Sequence, residues 1–259
     1  AIGASALAAL TSGAGNTAVG YQSLVGLTTG ASNIAIGNNA ADAMVGGESG
    51  NIAIGVDAMG LADEDNESID NNIAIGTNAL KGGDLASTAF DVTNNVAIGN
   101  NAMDGTGTIG ALFNVMIGDG AGGGGWSTAA SNYNVGIGAA CMEGAMNGAL
   151  RNTAVGYQAL SALILGDNNV CIGKDAGLLI ADGCGNVCIG ANSGDRITGA
   201  DENTVIGADC DVYDTGSTNQ IVIGNTLTAT DLDNSVFIGN DTNHIQNDFN
   251  ADATWSYSS

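Results

Sequence analysis

The sequence predicts an all-β protein, folded as a parallel β-solenoid or β-roll of about 14 short coils. Three observations support this fold. A short phrase, usually N-x-A-[IV]-G, occurs fourteen times, its glycines lie 15 to 23 residues apart, and the chain combines 42 glycines with no proline. A unit this short cannot enclose its own core, so it must stack on its neighbours as one turn of a solenoid. The repeated glycines are Gly3, Gly20, Gly37, Gly55, Gly76, Gly99, Gly118, Gly138, Gly156, Gly173, Gly190, Gly207, Gly224 and Gly239.

The composition suits thin, stacked layers better than a bulky globular core. Hydrophobic residues make up 44% of the 259 residues, which argues against disorder, and aromatic residues make up only 4%. The apolar residues are mostly alanine, valine and isoleucine. Glycine without proline and without a strict three-residue period argues against a collagen triple helix.

Each repeat is expected to begin with a short strand. In Asn51-Ile52-Ala53-Ile54-Gly55, alternation places Ile52 and Ile54 on one face of the strand and Ala53 on the other. Both faces are apolar, and a strand that is apolar on both faces is normally buried on both faces. One face is therefore expected to line the inside of the solenoid, and the other to need a partner outside the coil.

The repeated glycine is expected to end each strand at a corner, where a side chain would clash or φ must be positive. The phrase x-x-[AS]-[LM] follows, as in Asn78-Ala79-Leu80, and is expected to return the chain to the core. Polar, glycine-rich connectors complete the coil and absorb the variation in repeat length. The predicted corner glycines are Gly20, Gly37, Gly55, Gly76, Gly99, Gly118, Gly138, Gly156, Gly173, Gly190 and Gly207.

An asparagine stands four residues before the glycine in eleven repeats, and Gln220 and Ser235 replace it in later ones. Stacked asparagines can hydrogen-bond along a column and satisfy backbone groups at turns. We interpret them as a structural column; the alternative is a ligand site made of identical polar residues. The asparagines are Asn16, Asn33, Asn51, Asn72, Asn95, Asn114, Asn134, Asn152, Asn169, Asn186 and Asn203.

The thinness of the coils predicts an oligomer. A coil of alanine, valine and isoleucine buries little apolar surface relative to the conformational entropy that is lost when it is ordered. The second apolar face of each strand would make up this deficit by packing on sister chains. For an extended rod, three copies around a shared axis are the natural arrangement, so we expect a homotrimer.

Two segments are predicted: a solenoid shaft over residues 1–212 and a C-terminal cap over residues 213–259, where the three chains tighten. In the second segment the repeat spacing shortens to 15 residues, and Phe237, Phe249, Trp255 and Tyr257 gather there. A solenoid needs such a cap because its last coil otherwise presents unpaired backbone groups.

The net charge of −23 disfavours negatively charged partners. The positive residues are only Lys81, Arg151, Lys174 and Arg196. Nucleic acids and anionic membranes both require a basic surface, so neither is expected as a partner. The longest strongly apolar run, residues 159–165, is too short to cross a bilayer, so no membrane insertion is expected.

No catalytic arrangement is recognisable, so we expect neither enzyme activity nor a cofactor. His244 is the only histidine, and no serine or cysteine stands in a G-x-S-x-G phrase. Residues 166–175, GDNNVCIGKD, have the wrong glycine spacing for a phosphate-binding loop. Asp175 also stands where serine or threonine should follow Lys174.

Weak Ca²⁺ binding stays open. Residues 63–68 begin like a calcium loop but lack its sixth-position glycine and twelfth-position glutamate, so a solvated loop is favoured. His244 would be able to ligate a metal if three copies met at an axis, although a surface or core role is favoured.

The five cysteines form no zinc-binding pattern. Cys171 and Cys188 occupy the same repeat position, two before the glycine, and are interpreted as small core residues. Stacking would bring their Cα atoms within about 4.8 Å, which is inside disulfide range, so a bridge is possible but not required. The others are Cys141, Cys184 and Cys210.

The fuller phrase N-x-A-[IV]-G-x-x-[AS]-[LM] resembles the head repeat of trimeric autotransporter adhesins, which fold as left-handed parallel β-rolls. Residues 15–24, GNTAVGYQSL, and 151–160, RNTAVGYQAL, look still more like repeats of bacteriophage tail fibres. Such fibres commonly end in an intramolecular chaperone of the endosialidase type, which is cut off at a Ser–Asp bond. Residues 253–259, ATWSYSS, resemble the segment before that chaperone, which implies that Ser259 is the maturation cleavage boundary.

The resemblance implies a structural, homotrimeric fibre segment of a phage tail or similar appendage, located in the virion. Its partners would be other fibre or tail proteins and a host cell-surface glycan or protein. The longest inserts, residues 60–71, 81–94 and 120–133, would protrude most and make the host contact. The alternative is a bacterial trimeric surface adhesin or extracellular filament at the cell surface.

An ice-binding solenoid is disfavoured. That class needs a flat array of threonines on adjacent coils, and Thr17, Thr153 and Thr204 stand isolated in the repeat. A polysaccharide-degrading enzyme is disfavoured as well, because no pair of carboxylates recurs at a fixed position in the repeat.

Overall fold

The structure is a computed structural model that describes residues 1–60, 68–82, 91–106, 110–126, 129–213, 215–229, 233–248 and 256–258. Over these residues the chain is all-β, with no helix, and forms a parallel β-solenoid of about 11 turns. The predicted all-β class and parallel β-solenoid are therefore confirmed, whereas the 14 coils and the homotrimer stay predictions. The repeat phrase forms the strand and first corner of each turn, and the connector closes the turn.

Seventeen short strands occur in the described part of the chain. They are β1 Thr17–Val19, β2 Ile34–Ile36, β3 Ile52–Ile54, β4 Ile73–Ile75, β5 Val92–Thr93, β6 Val96–Ile98, β7 Ala111–Leu112, β8 Val115–Ile117, β9 Val135–Ile137, β10 Thr153–Val155, β11 Val170–Ile172, β12 Val187–Ile189, β13 Thr204–Ile206, β14 Ile221–Gly224, β15 Ser235–Gly239, β16 His244–Asp248 and β17 Ser256–Ser258.

One sheet runs the length of the solenoid. Thirteen of its strands, from β1 to β15 without β5 and β7, are parallel neighbours. Equivalent repeat positions lie side by side, as Ala53 does with Ala74. The pair β5 and β7 forms a separate two-stranded sheet. Because the register never slips, each position of the repeat becomes a column along the axis.

The interior of the solenoid is built from the middle residue of each strand and from the chain that follows the corner. Ala53, Ala58 and Met59 of one turn are all buried. Ile52 and Ile54, on either side of Ala53, point outward and stay half-exposed. The strand face that carries alanine is therefore the inner face, and the isoleucine face is the one that lies outside the coil.

The corner requires glycine for two reasons. The eleven predicted corner glycines have φ between 130° and 146°, a region that side chains disfavour. In addition, a β-carbon on Gly55 would collide with the carbonyl oxygen of Gly76 in the next turn. Stacking the corners this closely leaves no room for any other residue.

After most corners, the second and the fourth residue also have positive φ, and most of these are not glycine. Asn78 has φ 57° and Leu80 has φ 50°, with the buried Ala79 between them. This double left-handed bend turns the chain sharply enough to bring Leu80 into the core. Thirty non-glycine residues in the described chain share positive φ.

Core volume is balanced within turns. Where the middle strand residue is alanine, the fourth residue after the corner is usually large, as with Ala154 and Leu160. Where Cys171 replaces the alanine, the fourth residue after the corner is Gly177 instead of a large residue. The missing β-carbon of Gly177 leaves room for the cysteine sulfur. Cys188 and Gly194 form the same pair.

The regular pattern ends after β15. The strands lengthen to four residues in β14 and five in β15, and β16 then turns back antiparallel to β15. The strand β17 pairs antiparallel with β16. Phe237 fills the interior at this end, where it is 1% exposed. Phe249 and Trp255 lie outside the described residues.

Candidate functional site

The most unusual surface is the outer face of the main sheet, which we call the outer sheet face. It consists of the two outward side chains of each of the thirteen parallel strands. Of these 26 side chains, 23 are isoleucine or valine, three are threonine and none is charged. The outer sheet face comprises Thr17, Val19, Ile34, Ile36, Ile52, Ile54, Ile73, Ile75, Val96, Ile98, Val115, Ile117, Val135, Ile137, Thr153, Val155, Val170, Ile172, Val187, Ile189, Thr204, Ile206, Ile221, Ile223, Val236 and Ile238.

The outer sheet face is accessible in the single chain. Ile36 and Ile137 are each 40% exposed, and Ile172 and Ile238 each 39%. Twelve steps of about 4.8 Å between neighbouring strands make the face about 58 Å tall. Single soluble chains seldom leave a continuous apolar surface of this length in water, so such a face normally meets a partner.

The rims of this face carry exposed aromatic side chains. Tyr21 and Tyr157 each directly follow a corner glycine and are 52% and 50% exposed. At the opposite end of the strands, the rings of Phe113 and Tyr133 stack across neighbouring turns, with centroids 5.4 Å apart and planes 6° from parallel. The apolar centre is thus bordered by residues that suit both water and a partner surface.

The eleven repeated asparagines form one continuous hydrogen-bonded ladder, in which all but Asn16 are buried. Asn72 illustrates the geometry. Its backbone N–H and its Nδ2 donate to Oδ1 of Asn51, at 2.9 and 3.2 Å, and Nδ2 also donates to the Val92 carbonyl at 2.7 Å. Its own Oδ1 accepts the equivalent two bonds from Asn95, at 3.0 and 3.1 Å.

Each amide inside the ladder therefore uses both Nδ2 hydrogens and both Oδ1 lone pairs within the protein. That leaves nothing for a ligand, so the arrangement favours the structural interpretation of these asparagines. At the C-terminal end, Gln220 donates its backbone N–H to Asn203 Oδ1 at 2.9 Å and its Nε2 to Ser235 Oγ at 3.2 Å.

A second ladder went unrecognised in the sequence. Two residues before the asparagine column, an Asp or Asn Oδ1 often accepts the backbone N–H of the equivalent residue one turn earlier. Asp70 accepts from Ser49 at 2.7 Å, and Asp167 accepts from Leu150 at 2.7 Å. The signal was the spacing D-x-N, which recurs with Asp201 and, with Ser235 in place of the asparagine, with Asp233. Asn132, Asp201 and Asp233 act in the same way.

A buried carboxyl lies near the end of the asparagine ladder. Asp211 is 3% exposed, and burial together with the neighbouring Asp195 raises its pKa to about 7, against the lowering effects of a hydrogen bond from Val212 and the charge of Arg196. Arg196 Nε lies 3.6 Å from Asp211 Oδ2.

All five cysteines are free. Cys171 and Cys188 are buried neighbours in register, and burial raises the pKa of Cys171 well above its ordinary value. Burial also raises the pKa of Cys141 to about 12. A protonated, enclosed thiol is a poor nucleophile and a poor metal ligand, which fits the prediction of small core residues.

His244 lies in β16, half-exposed, with its ring centroid 5.8 Å from that of Phe237. Its Nε2 lies 3.1 Å from Gln246 Oε1. In the part of the chain that the structure describes, no three histidine, cysteine, aspartate or glutamate side chains converge closely enough to hold a metal ion. Residues 63–67 of the acidic stretch and Ser259 lie outside the described residues.

Comparison with protein-family profiles, with curated proteins and with solved structures gave no match for this chain. Within the described ranges, no helix has the length and apolar character to cross a membrane.

Proposed function

We propose that this protein is a structural segment of a homotrimeric fibre in a phage tail or a similar appendage, where it acts as a rigid shaft and contributes to host-surface attachment. The observation that carries the proposal is the outer sheet face. It is uncharged and almost wholly aliphatic over thirteen strands, and the single chain leaves it at least partly exposed except at Val236.

Three copies packed around a shared axis would cover this surface. The two aliphatic columns repeat at every turn, so identical faces of parallel chains would meet in register along the whole rod. The acidic residues that produce the net charge of −23 stand elsewhere on the turns, so the apolar faces can approach without direct repulsion. With thirteen to fourteen coils at about 4.8 Å each, the shaft would be about 65 Å long.

The wider setting follows from the repeat phrases. In a tail fibre, the shaft would join other fibre or tail proteins, and the inserts of residues 60–71, 81–94 and 120–133 would contact a host glycan or protein. Trimerisation through a downstream chaperone, followed by cleavage after Ser259, would leave the mature shaft in the virion. No enzyme activity and no cofactor belong to this role.

The oligomeric state tests the proposal directly. Light scattering coupled to gel filtration should give about 76 kDa, three times the 25.4 kDa of one chain. Ile172→Lys should reduce that mass to one chain, because lysine cannot be buried at an apolar axis. Leu179→Lys is the matched control: Leu179 lies in the following connector, off the outer sheet face, and is 46% exposed against 39% for Ile172.

Both lysines reduce the negative charge by the same amount, so a difference between the two variants reports on the face and not on net charge. A folded single chain in the unmodified protein would refute the proposal. So would an Ile172→Lys variant that keeps the full trimer mass.

A bacterial trimeric surface adhesin is the second candidate, because N-x-A-[IV]-G-x-x-[AS]-[LM] is also the phrase of adhesin heads. Both candidates need the same trimer. Immunogold labelling of the source material distinguishes them: tail fibres of virions should be decorated in the first case, and the cell surface in the second.

A further inference from the structure

A notch in the side of the solenoid results from a local change in the repeat. The second residue after a corner glycine has positive φ and usually carries a polar side chain, and in some turns this side chain bonds to the next turn. Asn39 Nδ2 donates to Asp57 Oδ1 at 3.0 Å, and Asn78 Nδ2 donates to Asn101 Oδ1 at 3.0 Å. This column of side chains covers the corner of the solenoid.

The column is interrupted at two successive turns. Gly120 and Ala140 occupy the positions that Asn101 and Gln158 hold in the turns on either side. Three turn spacings of about 4.8 Å separate Asn101 from Gln158, so the gap is about 14 Å long. The result is an open groove with a volume of about 490 Å³, which is within the usual range for small-ligand sites.

The floor of the notch is kept open by glycine. A β-carbon on Gly123 would stand 3.0 Å from both the Asn101 carbonyl oxygen and Asp104 Oδ1. Gly123 belongs to the run of four glycines at residues 122–125. Asn101 and Asp104 both line the groove, where their oxygen atoms are acceptors for a bound ligand.

The walls combine hydrogen-bond acceptors with one aromatic ring. Asp104, Asp119 and Glu143 come from three successive turns, and Tyr157 closes one end of the groove. No lysine or arginine stands among the described residues that line it. The carboxylates are spread along the groove and do not belong to any group that converges on a metal position among the described residues.

We propose that this notch binds an uncharged oligosaccharide. Sugar hydroxyls are donors that separate carboxylates and a backbone carbonyl can accept, and the apolar face of a pyranose ring packs against an aromatic side chain such as Tyr157. The three carboxylates repel sialic acid and other anionic sugars. This site deepens the proposed role in host attachment and rests on it.

Two tyrosines provide a matched test. Tyr157 and Tyr21 both follow a corner glycine within the phrase A-V-G-Y-Q, and both are about half-exposed. Only Tyr157 borders the notch. Tyr157→Ala should therefore weaken binding at least tenfold, and Tyr21→Ala should leave it unchanged. A third variant, Gly120→Asn, restores the missing side chain in a backbone conformation that asparagine tolerates, and should also weaken binding at least tenfold.

The probes are maltose, lactose and N,N′-diacetylchitobiose, with 3′-sialyllactose as the anionic counterpart of lactose. Saturation-transfer-difference NMR and titration on the full chain, with and without Ca²⁺, give the affinities. At least one uncharged probe should bind without Ca²⁺, and the sialylated one should bind more weakly than lactose. Thermal unfolding of each variant verifies that its fold is intact.

Several results would overturn the proposal: no signal from any uncharged probe, equal effects of the two tyrosine variants, or binding of Ca²⁺ alone at the notch with no sugar bound. The mass of the same samples separates this outcome from the fibre proposal. A trimer that binds no saccharide rejects the notch and keeps the fibre, whereas a single chain that binds one does the reverse.

Discussion

At the scale of single residues, the fold depends on backbone conformations that most side chains avoid. Most turns contain a glycine corner with φ near 140° and two further residues near 55°, one of which is often a buried leucine or methionine. Left-handed conformations destabilise non-glycine residues by about 1–2 kcal/mol each. The core contacts of Leu24, Met59 and Leu80, all fully buried, offset this cost.

The corner column gives a prediction at this scale. Gly55→Ala should lower the free energy of unfolding by about 2–5 kcal/mol, because the methyl group meets the Gly76 carbonyl and the φ of 144° is unfavourable for alanine. Gly199→Ala is the control, since a β-carbon there meets nothing within 4 Å, and its effect should stay within about 0.5 kcal/mol. Denaturant unfolding followed by circular dichroism measures both, and equal losses would contradict the stacked corner.

At the scale of the turn, the same core space is filled by different pairs of side chains in different turns. Ala154 and Leu160 fill the core of one turn, and Cys171 and Gly177 fill the equivalent positions of the next turn. Leu160 has φ 51° and Gly177 φ 60°, so the backbone is the same in both turns. In the first turn the larger side chain, Leu160, lies after the corner, and in the next turn the larger side chain, Cys171, lies in the strand.

This equivalence predicts a rescue. Gly177→Leu alone should destabilise the protein by about 1–3 kcal/mol, because the new side chain overlaps Cys171 Sγ and Ile180 Cδ1. Combining it with Cys171→Ala recreates the pair of the preceding turn and should recover most of the loss. A double-mutant cycle of unfolding free energies reports the coupling, and strict additivity would show that the two positions do not share space.

Much of the turn could be predicted from sequence because its key positions have one physical solution. The phrase N-x-A-[IV]-G fixes strand, register and corner, since glycine is the only residue that fits the stacked bend, and asparagine at a constant offset suits a ladder. The features that the sequence did not predict occur at positions where several backbone conformations or hydrogen-bond partners are physically possible. Positive φ at Leu80 contradicts its local preference, and Asp70 accepts a bond from a neighbouring turn that is 21 residues away.

The notch was missed for a related reason. The notch forms because Gly120, Ala140 and Gly123 have small side chains or none. The effect of these small residues can be recognised only when neighbouring turns are aligned with each other. The glycine run was visible in the sequence, but its interpretation requires knowing that Asn101 and Gln158 stand at the same position in neighbouring turns.

At the scale of the whole molecule, charge and apolar surface oppose each other. A homotrimer would carry about −69, three times the charge of one chain, around an axis lined by isoleucine and valine. The apolar contact favours assembly, and the accumulated negative charge weakens it. Only four basic residues are available to each chain for compensation.

Assembly should therefore strengthen with salt. Screening shortens the reach of the charges from about 10 Å at 0.1 M to about 3 Å at 1 M ionic strength, while the apolar contact is not weakened. The thermal midpoint of the assembled protein should rise by several degrees from 0.02 M to 0.5 M NaCl. A fall in the midpoint would mean that ion pairs between chains hold the assembly together, and that the apolar face is not its main support.

The direction of the inter-turn hydrogen bonds has a mechanical consequence. The strands lie across the long axis, so these bonds and the asparagine ladder point along it, and a pull on the two ends loads them in series. The covalent backbone only winds around the rod and bears no tension until a turn opens. Each 17-residue turn that detaches would release up to about 60 Å of slack. A stretched molecule would thus yield turn by turn, as an extensible tether that absorbs a sudden load before it breaks.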